Sequence, residues 1–254
     1  MFRLVILLSA CLGLLFNAAA QSPTKPWTEW SKKEVEKTLN DSPWGQTQVE
    51  TNSSESTYTP TISGTTASRA GNASSASGGT SDRDTQGAYN QQVFAKYRIR
   101  FLSAKPIRAA VAQFVTAAQT DKEKQKQIIA QMQPFVDRDF AGQGIIVISV
   151  DVESNDPRYG QPPRQELASA VAESLKNSTY LERKDGKRLF LADYRAPTSD
   201  GLGAKFVFPR MVDGKPFIDQ DTVEVRFVAE TGKRIRLNMR FKVKEMMYDG
   251  HLEY

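Results

Sequence analysis

Residues 145–152 read Ile145-Ile146-Val147-Ile148-Ser149-Val150-Asp151-Val152. Six of these eight residues have β-branched side chains, which favour strands because they pack well on a pleated surface. A short, nearly continuous apolar run is typical of a strand that is buried on both faces. We therefore expect this stretch to form the central strand of the fold.

The residues before this strand predict another strand and then two helices. Apolar and basic side chains alternate from Ala95 to Phe101, as in a half-buried strand. After this strand, apolar residues follow the spacing of a first helix at Ile107, Ala110, Val111, Phe114 and Ala118. A second helix, over residues 122–136, should bend or end at Pro134, because proline lacks a backbone N–H.

The residues after the central strand predict one more helix and then a series of strands. Pro162-Pro163 is expected to open a helix whose apolar face carries Leu167, Val171 and Leu175. Apolar runs then flank Asp185-Gly186 and Asp213-Gly214, two favourable hairpin turns.

The longest alternation in the chain runs from Ile235 to Val243. Strands that follow one another through tight turns pair antiparallel. For residues 92–254 we expect an α+β domain with a mostly antiparallel sheet and helices on one face.

The first twenty residues have the pattern of a secretory signal peptide. Arg3 supplies positive charge, an apolar core runs from Leu4 to Phe16, and Ala18-Ala19-Ala20 is a small-residue cleavage site. The apolar core is shorter than the about 20 residues of a membrane-spanning helix. We expect export to the periplasm or the extracellular space, with a mature chain that begins at Gln21.

Cleavage would remove the only cysteine, Cys11, and leave His251 as the only histidine. Disulfides, a cysteine nucleophile, thiolate zinc sites and sites that need two histidines are then excluded within one mature chain. We expect no cofactor and no metal. In the alternative, Leu8-Ser9-Ala10-Cys11 acts as a lipobox, and a lipid on Cys11 anchors the protein to a membrane.

All three tryptophans lie in the segment of residues 21–45. Ser31 and Glu34 have the spacing of a capping box, so a short helix should begin there and bury Val35 and Leu39. A helix this short needs something to pack against, which is either its own domain or another molecule. We favour packing, but exposed indole rings also stack on sugars and anchor interfaces, so the partner-binding candidates include Trp27, Trp30 and Trp44.

Residues 46–91 are rich in Ser, Thr, Gly and Asn and poor in branched aliphatic side chains. Such a stretch buries too little apolar surface to offset its chain entropy. It is therefore predicted to be a disordered linker between the tryptophan segment and the domain.

Two strands have basic residues opposite their apolar faces. If these strands were neighbours, their cations would share one sheet face and attract a polyanion, a polysaccharide or an anionic lipid. Alternatively they are solvated edges with Glu224 and Glu182 as cross-strand partners. The lack of interleaved aromatic residues argues against nucleic acid. These candidates are Lys96, Arg98 and Arg100 in the first strand, and Arg234, Arg236, Arg240 and Lys242 in the last.

Asp151 and Glu153 lie two residues apart near the end of the central strand, hence on one face. Paired carboxylates could hydrolyse a glycosidic bond or hold calcium. For calcium the loop motif needs Gly at its sixth position, which is Asp156 here. Acids at a strand end are more often turn formers.

Within the tryptophan segment, the run from Pro26 to Trp44 resembles an element of uncharacterised secreted proteins of soil bacteria. The shared pattern is W-S-x-K-E-V-E-K-x-L-N-D-S-P-W, and in this chain it begins at Trp30. The resemblance implies no activity, cofactor or catalytic residue.

These observations favour an exported, non-enzymatic binding or structural protein of the bacterial envelope. Its partner would be an envelope protein or a polysaccharide. Two alternatives remain: a carboxylate-dependent hydrolase of envelope glycans that uses Asp151 and Glu153, and a binder of anionic polymers or lipids through a basic sheet face.

Overall fold

The computed structural model describes residues 25–51, 93–232 and 234–254. The expected signal peptide, and the expected linker from residue 52 onward, lie outside the described residues. The helices are α1 (Lys32–Asn40), α2 (Lys105–Ala117), α3 (Lys122–Val136), α4 (Pro157–Ser169) and α5 (Ala172–Leu175). None of these described helices is long and apolar enough to cross a bilayer.

The described strands form two larger sheets and two short hairpins. The strands are β1 (Gly45–Thr51), β2 (Phe94–Phe101), β3 (Ile145–Ser154), β4 (Thr179–Arg183), β5 (Arg188–Phe190), β6 (Asp193–Arg195), β7 (Ala204–Pro209), β8 (Met211–Val212), β9 (Lys215–Pro216), β10 (Glu224–Thr231), β11 (Ile235–Lys242), β12 (Met247–Tyr248) and β13 (His251–Leu252). With the five helices they make an α+β fold, as the sequence predicts.

The β-branched run forms β3, the middle strand of a five-stranded antiparallel sheet with the order β1-β2-β3-β7-β6. A second antiparallel sheet has the order β11-β10-β4-β5. The inner faces of the two sheets pack together: the rings of Phe101 and Phe241 lie 4.8 Å apart and those of Phe206 and Phe227 lie 5.4 Å apart. The prediction of a central strand is confirmed.

Helices α1 and α2 pack against each other beside the outer face of the five-stranded sheet, and α3 packs on α2. Helix α1 begins where expected, because Ser31 and Glu34 form both hydrogen bonds of the capping box. Val35 and Leu39 are buried in the main core. The tryptophan segment therefore packs on its own domain.

The two sheets are linked along both sides, so that they approach a closed barrel. On one side, the Gln48 side chain donates to the carbonyl of Arg236 and accepts from the amide of Asn238, at 2.8 and 3.0 Å. On the other side, Leu191 donates its amide to Thr179 in one sheet, and Ala192 donates to Val207 in the other. These bonds cover backbone groups that an open edge would expose.

Two boundaries differ from those expected. Residues 46–51 belong to β1 rather than to the linker, because their backbone pairs with β2 in full register, and such pairing outweighs weak strand propensity. Helix α4 begins at Pro157, where the Asp156 side chain caps the amide of Arg158, rather than at Pro162. It ends before Val171, which is 58% exposed.

Candidate ligand-binding groove

The three tryptophans lie against the domain. Trp27 and Trp30 are half-buried and pack on a small cluster of Ala109, Ala112 and Val136. Trp44 is 9% exposed, its indole nitrogen donates to the Glu253 carbonyl at 2.9 Å, and its ring meets Tyr248 edge-on. These contacts give the indoles a role in packing.

The basic residues of the two strands do not share one face, which corrects that expectation. Strand β2 lies in the five-stranded sheet, whereas β11 is an edge of the other sheet. A shared face required the two strands to be neighbours, and the sheet order separates them.

The cations of β2 have separate local partners. Lys96 lies over the Phe94 ring at 4.6 Å, and Arg98 forms ion pairs. Arg100 is buried, and it donates to the Leu39 carbonyl at 2.9 Å and to Asn40 at 3.0 Å. Burial, together with the charge of Arg98, lowers the pKa of Arg100 to about 10, so it is still a cation at neutral pH.

The cations in β11, together with Arg234 directly before it, are exposed at the edge of the four-stranded sheet. Arg240 lies 3.8 Å from Glu224, one of the two expected partners. The other, Glu182, pairs instead with Arg188 and Arg226. Lys242 pairs with Glu245 at 3.0 Å, and Arg234 and Arg236 are exposed.

Asp151 and Glu153 lie on the outer face of the five-stranded sheet, and both pair with Arg98. The guanidinium occupies the space beside the carboxylates, where a glycosidase would hold a sugar and water. Within residues 25–51, 93–232 and 234–254, no group of three or more His, Cys, Asp or Glu side chains could hold a metal ion. The hydrolase alternative stays a prediction.

A groove runs between the outer face of the five-stranded sheet and helices α2 and α3. Its larger chamber has a volume of about 610 Å³, within the range of small-molecule sites. Most of the lining is apolar. It includes Val111 and Val115 from α2, Phe135 from α3, Ile145 and Val147 from β3, and Val207 from β7.

A second chamber of about 470 Å³ continues the groove toward α1. Both chambers are lined by Val111, Val115, Asp200 and Leu202, so they are neighbours in the same groove. The second chamber is more ionic, since Arg98, Arg100 and Asp151 line it. The groove thus changes from apolar at one end to charged at the other.

The mouth of the groove has two consecutive exposed apolar side chains. Phe114 is 59% exposed and Val115 is 43% exposed. The helical spacing of α2 suggested that Phe114 would share the buried face of Ile107 and Ala110, which are fully buried. Instead the apolar stripe of α2 continues past the core and faces the groove.

The wall opposite the helices is the segment 196–202, between β6 and β7. Lys205 pairs with Asp200 at 2.7 Å and holds this segment against the sheet. Burial opposes ionisation of Asp200, but hydrogen bonds from Lys205 and from the Leu202 amide outweigh it and hold the pKa of Asp200 below its usual value. The pair is therefore ionic at neutral pH.

No protein-family model, curated protein or solved structure matches this chain. The resemblance of the tryptophan segment to secreted proteins of soil bacteria stays a prediction.

The groove was not apparent from the sequence, because its lining comes from segments far apart in the chain. Leu202, Lys205 and Arg195 had no pattern that marked them as site residues. The one available indication was Phe114-Val115, two bulky apolar residues side by side near the end of a helix, since only one of two neighbours can face a narrow core.

Proposed function

We propose that this protein is an exported, non-enzymatic binding protein of the bacterial envelope, and that its ligand site is the groove on the outer face of the five-stranded sheet. The observation that carries the proposal is the pair of exposed apolar side chains, Phe114 and Val115, in the lining of a groove whose larger chamber is mainly apolar. Apolar concave surfaces that face solvent are the usual places of ligand binding.

The groups in the groove support binding rather than catalysis. Arg98 pairs with Asp151 and with Glu153, and Lys205 pairs with Asp200. The lining, as far as the described residues form it, contains no histidine or cysteine. Acyl transfer and hydrolysis through an activated nucleophile need a base beside that nucleophile.

Export is supported by the signal-peptide pattern of residues 1–20. The groove would hold either a free ligand with an apolar body or an apolar segment of an envelope protein. The tryptophan segment, packed on the domain through Val35, Leu39 and Trp44, would support the fold instead of acting as a separate adhesive module.

The test is a fluorescence titration with N-phenyl-1-naphthylamine, an uncharged apolar probe. We expect saturable binding to the wild-type protein. Val115→Asp places a charge in the apolar wall at an exposed position, and it should weaken binding about tenfold or more because the charge must be desolvated.

The matched control is Val171→Asp, at an exposed valine between α4 and α5 that does not line the groove. This variant should bind the probe as the wild type does. The proposal fails if the wild type does not bind the probe, or if both variants lose the same affinity.

A further inference from the structure

The strand register places a row of polar and basic side chains across the outer face of the five-stranded sheet. Arg195 pairs with Lys205, Lys205 with Ser149, and Ser149 with Arg100. Directly opposite residues in neighbouring strands point to the same face. The row therefore crosses four strands, from β6 to β2.

The next row on that face is apolar at β7 and β3, where Val207 lies opposite Val147, and Asp193 stands in the same row on β6. Residue pairs two positions apart along a strand lie on the same face. Within the larger chamber, an apolar floor therefore adjoins a basic one. This arrangement matches a molecule with an apolar chain and a charged head.

The positive charges of the larger chamber exceed its negative charges. Its lining contains the cations Arg138, Arg195 and Lys205 and one carboxylate, Asp200. Asp200 forms an ion pair with Lys205 at 2.7 Å. The charge of the chamber is therefore set by the two arginines.

The two arginines are available to a ligand. Arg195 lies 3.5 Å from Asp193, a pair with both side chains at least half exposed, and such pairs contribute little. Arg138 lies beside the Phe140 ring at 4.9 Å and donates to Gln143 at 3.4 Å. It has no ion pair with a carboxylate of the described residues.

We infer that the larger chamber binds a soluble single-chain amphiphile with an anionic head group, such as a medium-chain carboxylate. Arg195 would hold the head group at the basic row, Arg138 would add positive charge to the chamber, and the chain would lie against Ile145, Val147 and Val207. This inference rests on the proposed function of the groove. The volume of about 610 Å³ suits one small molecule, so the ligand is a monomeric amphiphile and not a bilayer surface.

The experiment compares two ligands of equal chain length, dodecanoate and dodecan-1-ol, as competitors of the uncharged probe below their aggregation limits. A charge-assisted hydrogen bond to arginine should make dodecanoate bind about tenfold more tightly than the alcohol. Added salt should reduce this difference, because these cations are partly exposed.

The variants Arg138→Gln and Arg195→Gln should each weaken dodecanoate binding several-fold and leave dodecan-1-ol unchanged. The matched control is Arg236→Gln, an exposed cation of β11 on the other sheet, and it should have no effect. Loss of dodecanoate binding in Arg236→Gln alone would overturn the inference in favour of the basic edge of the four-stranded sheet.

The remaining outcomes separate the two proposals. Equal affinities of carboxylate and alcohol would overturn the anionic head group and leave the groove as an apolar site. Failure of the probe and of both ligands to bind would overturn the proposed function itself. Retention on phosphatidylglycerol vesicles without displacement of the probe by dodecanoate would overturn the inference in favour of a membrane surface.

Discussion

The Nε atom of Arg100 donates to the backbone carbonyl of Leu39 at 2.9 Å, across 61 positions in the chain. This bond satisfies one of the last carbonyls of α1, which have no partner within the helix. A cation is also favourable at the negative end of the helix dipole. Arg100 thus attaches the N-terminal helix to the five-stranded sheet.

Arg100→Met should destabilise the protein by about 2–3 kcal/mol, because it leaves the Leu39 carbonyl buried without its charged donor. The free energy of unfolding in urea measures this loss. Arg98→Met is the control, since Arg98 is about a third exposed and forms ion pairs at the surface. Its cost should be about 1 kcal/mol or less. If Arg100→Met and Arg98→Met lowered the free energy of unfolding equally, the buried hydrogen bond would contribute no more than the surface ion pairs.

The N-terminal helix should be part of the cooperative fold. Val35 is 2% exposed, and Val35→Ala should cost about 2 kcal/mol from the lost burial. Val171→Ala, at an exposed valine, should change stability by less than about 0.5 kcal/mol. If Val35→Ala also left the urea midpoint unchanged, residues 25–45 would behave as a separate module.

Acid should weaken the start of α1 before it unfolds the protein. Hydrogen bonds from Ser31, with a further one from Lys25, lower the pKa of Glu34 to about 2 from 4.5. A carboxyl whose folded pKa is lowered gives stability that is present above pH 4.5 and lost as the pH falls toward 2. Tryptophan fluorescence of Trp27 and Trp30 should report this change.

In Glu34→Gln the difference between wild type and variant should be largest above pH 4.5 and should vanish near pH 2. The comparison between the two proteins separates Glu34 from the other carboxyls that titrate in this window. A difference that stays constant over the whole range would contradict the assignment.

The segment that forms one wall of the groove depends on a glycine. Gly203 has a φ of +75°, and a Cβ there would lie 2.2 Å from the carbonyl oxygen of Val150. Gly201 has a φ of +71° with open space around it. Gly201→Ala should therefore cost about 1 kcal/mol from backbone strain alone.

Gly203→Ala should cost about 3 kcal/mol or more, because strain is combined with a backbone clash. Displacing residue 203 should also move the wall formed by Leu202, so this variant should bind the uncharged probe more weakly. Thermal unfolding and probe titration measure the two effects. Similar stability of both alanine variants would show that the close approach to β3 is not required.

The features that the sequence predicts correctly have local causes. The β-branched run at 145–152 makes a central strand because its side chains suit burial on both faces. Ser31 and Glu34 start α1 through hydrogen bonds within one turn. Asp213 and Gly214 both adopt positive φ at the β8–β9 turn. Each of these is decided by residues that are neighbours in the chain.

The features that the sequence does not reveal have causes that are distant in the chain. Strand β1 forms because it pairs with β2, which is more than 40 residues away in the chain, and the mostly polar residues 46–51 give no sign of that pairing. Arg98, Arg100 and Arg236 look alike in an alternating pattern, yet Arg100 is buried and Arg236 is exposed on another sheet. The groove likewise needs residues from α2, α3, β3 and β7 at once.

The most direct measurement of the groove as the ligand site is the mapping of amide chemical-shift changes in the isotope-labelled protein, with dodecan-1-ol and with dodecanoate. We predict that both ligands shift the amides of Val111, Val115, Val147 and Leu202 and leave the four-stranded sheet around Arg236 unchanged. Shifts centred on β11, or no shifts with either ligand, would contradict it.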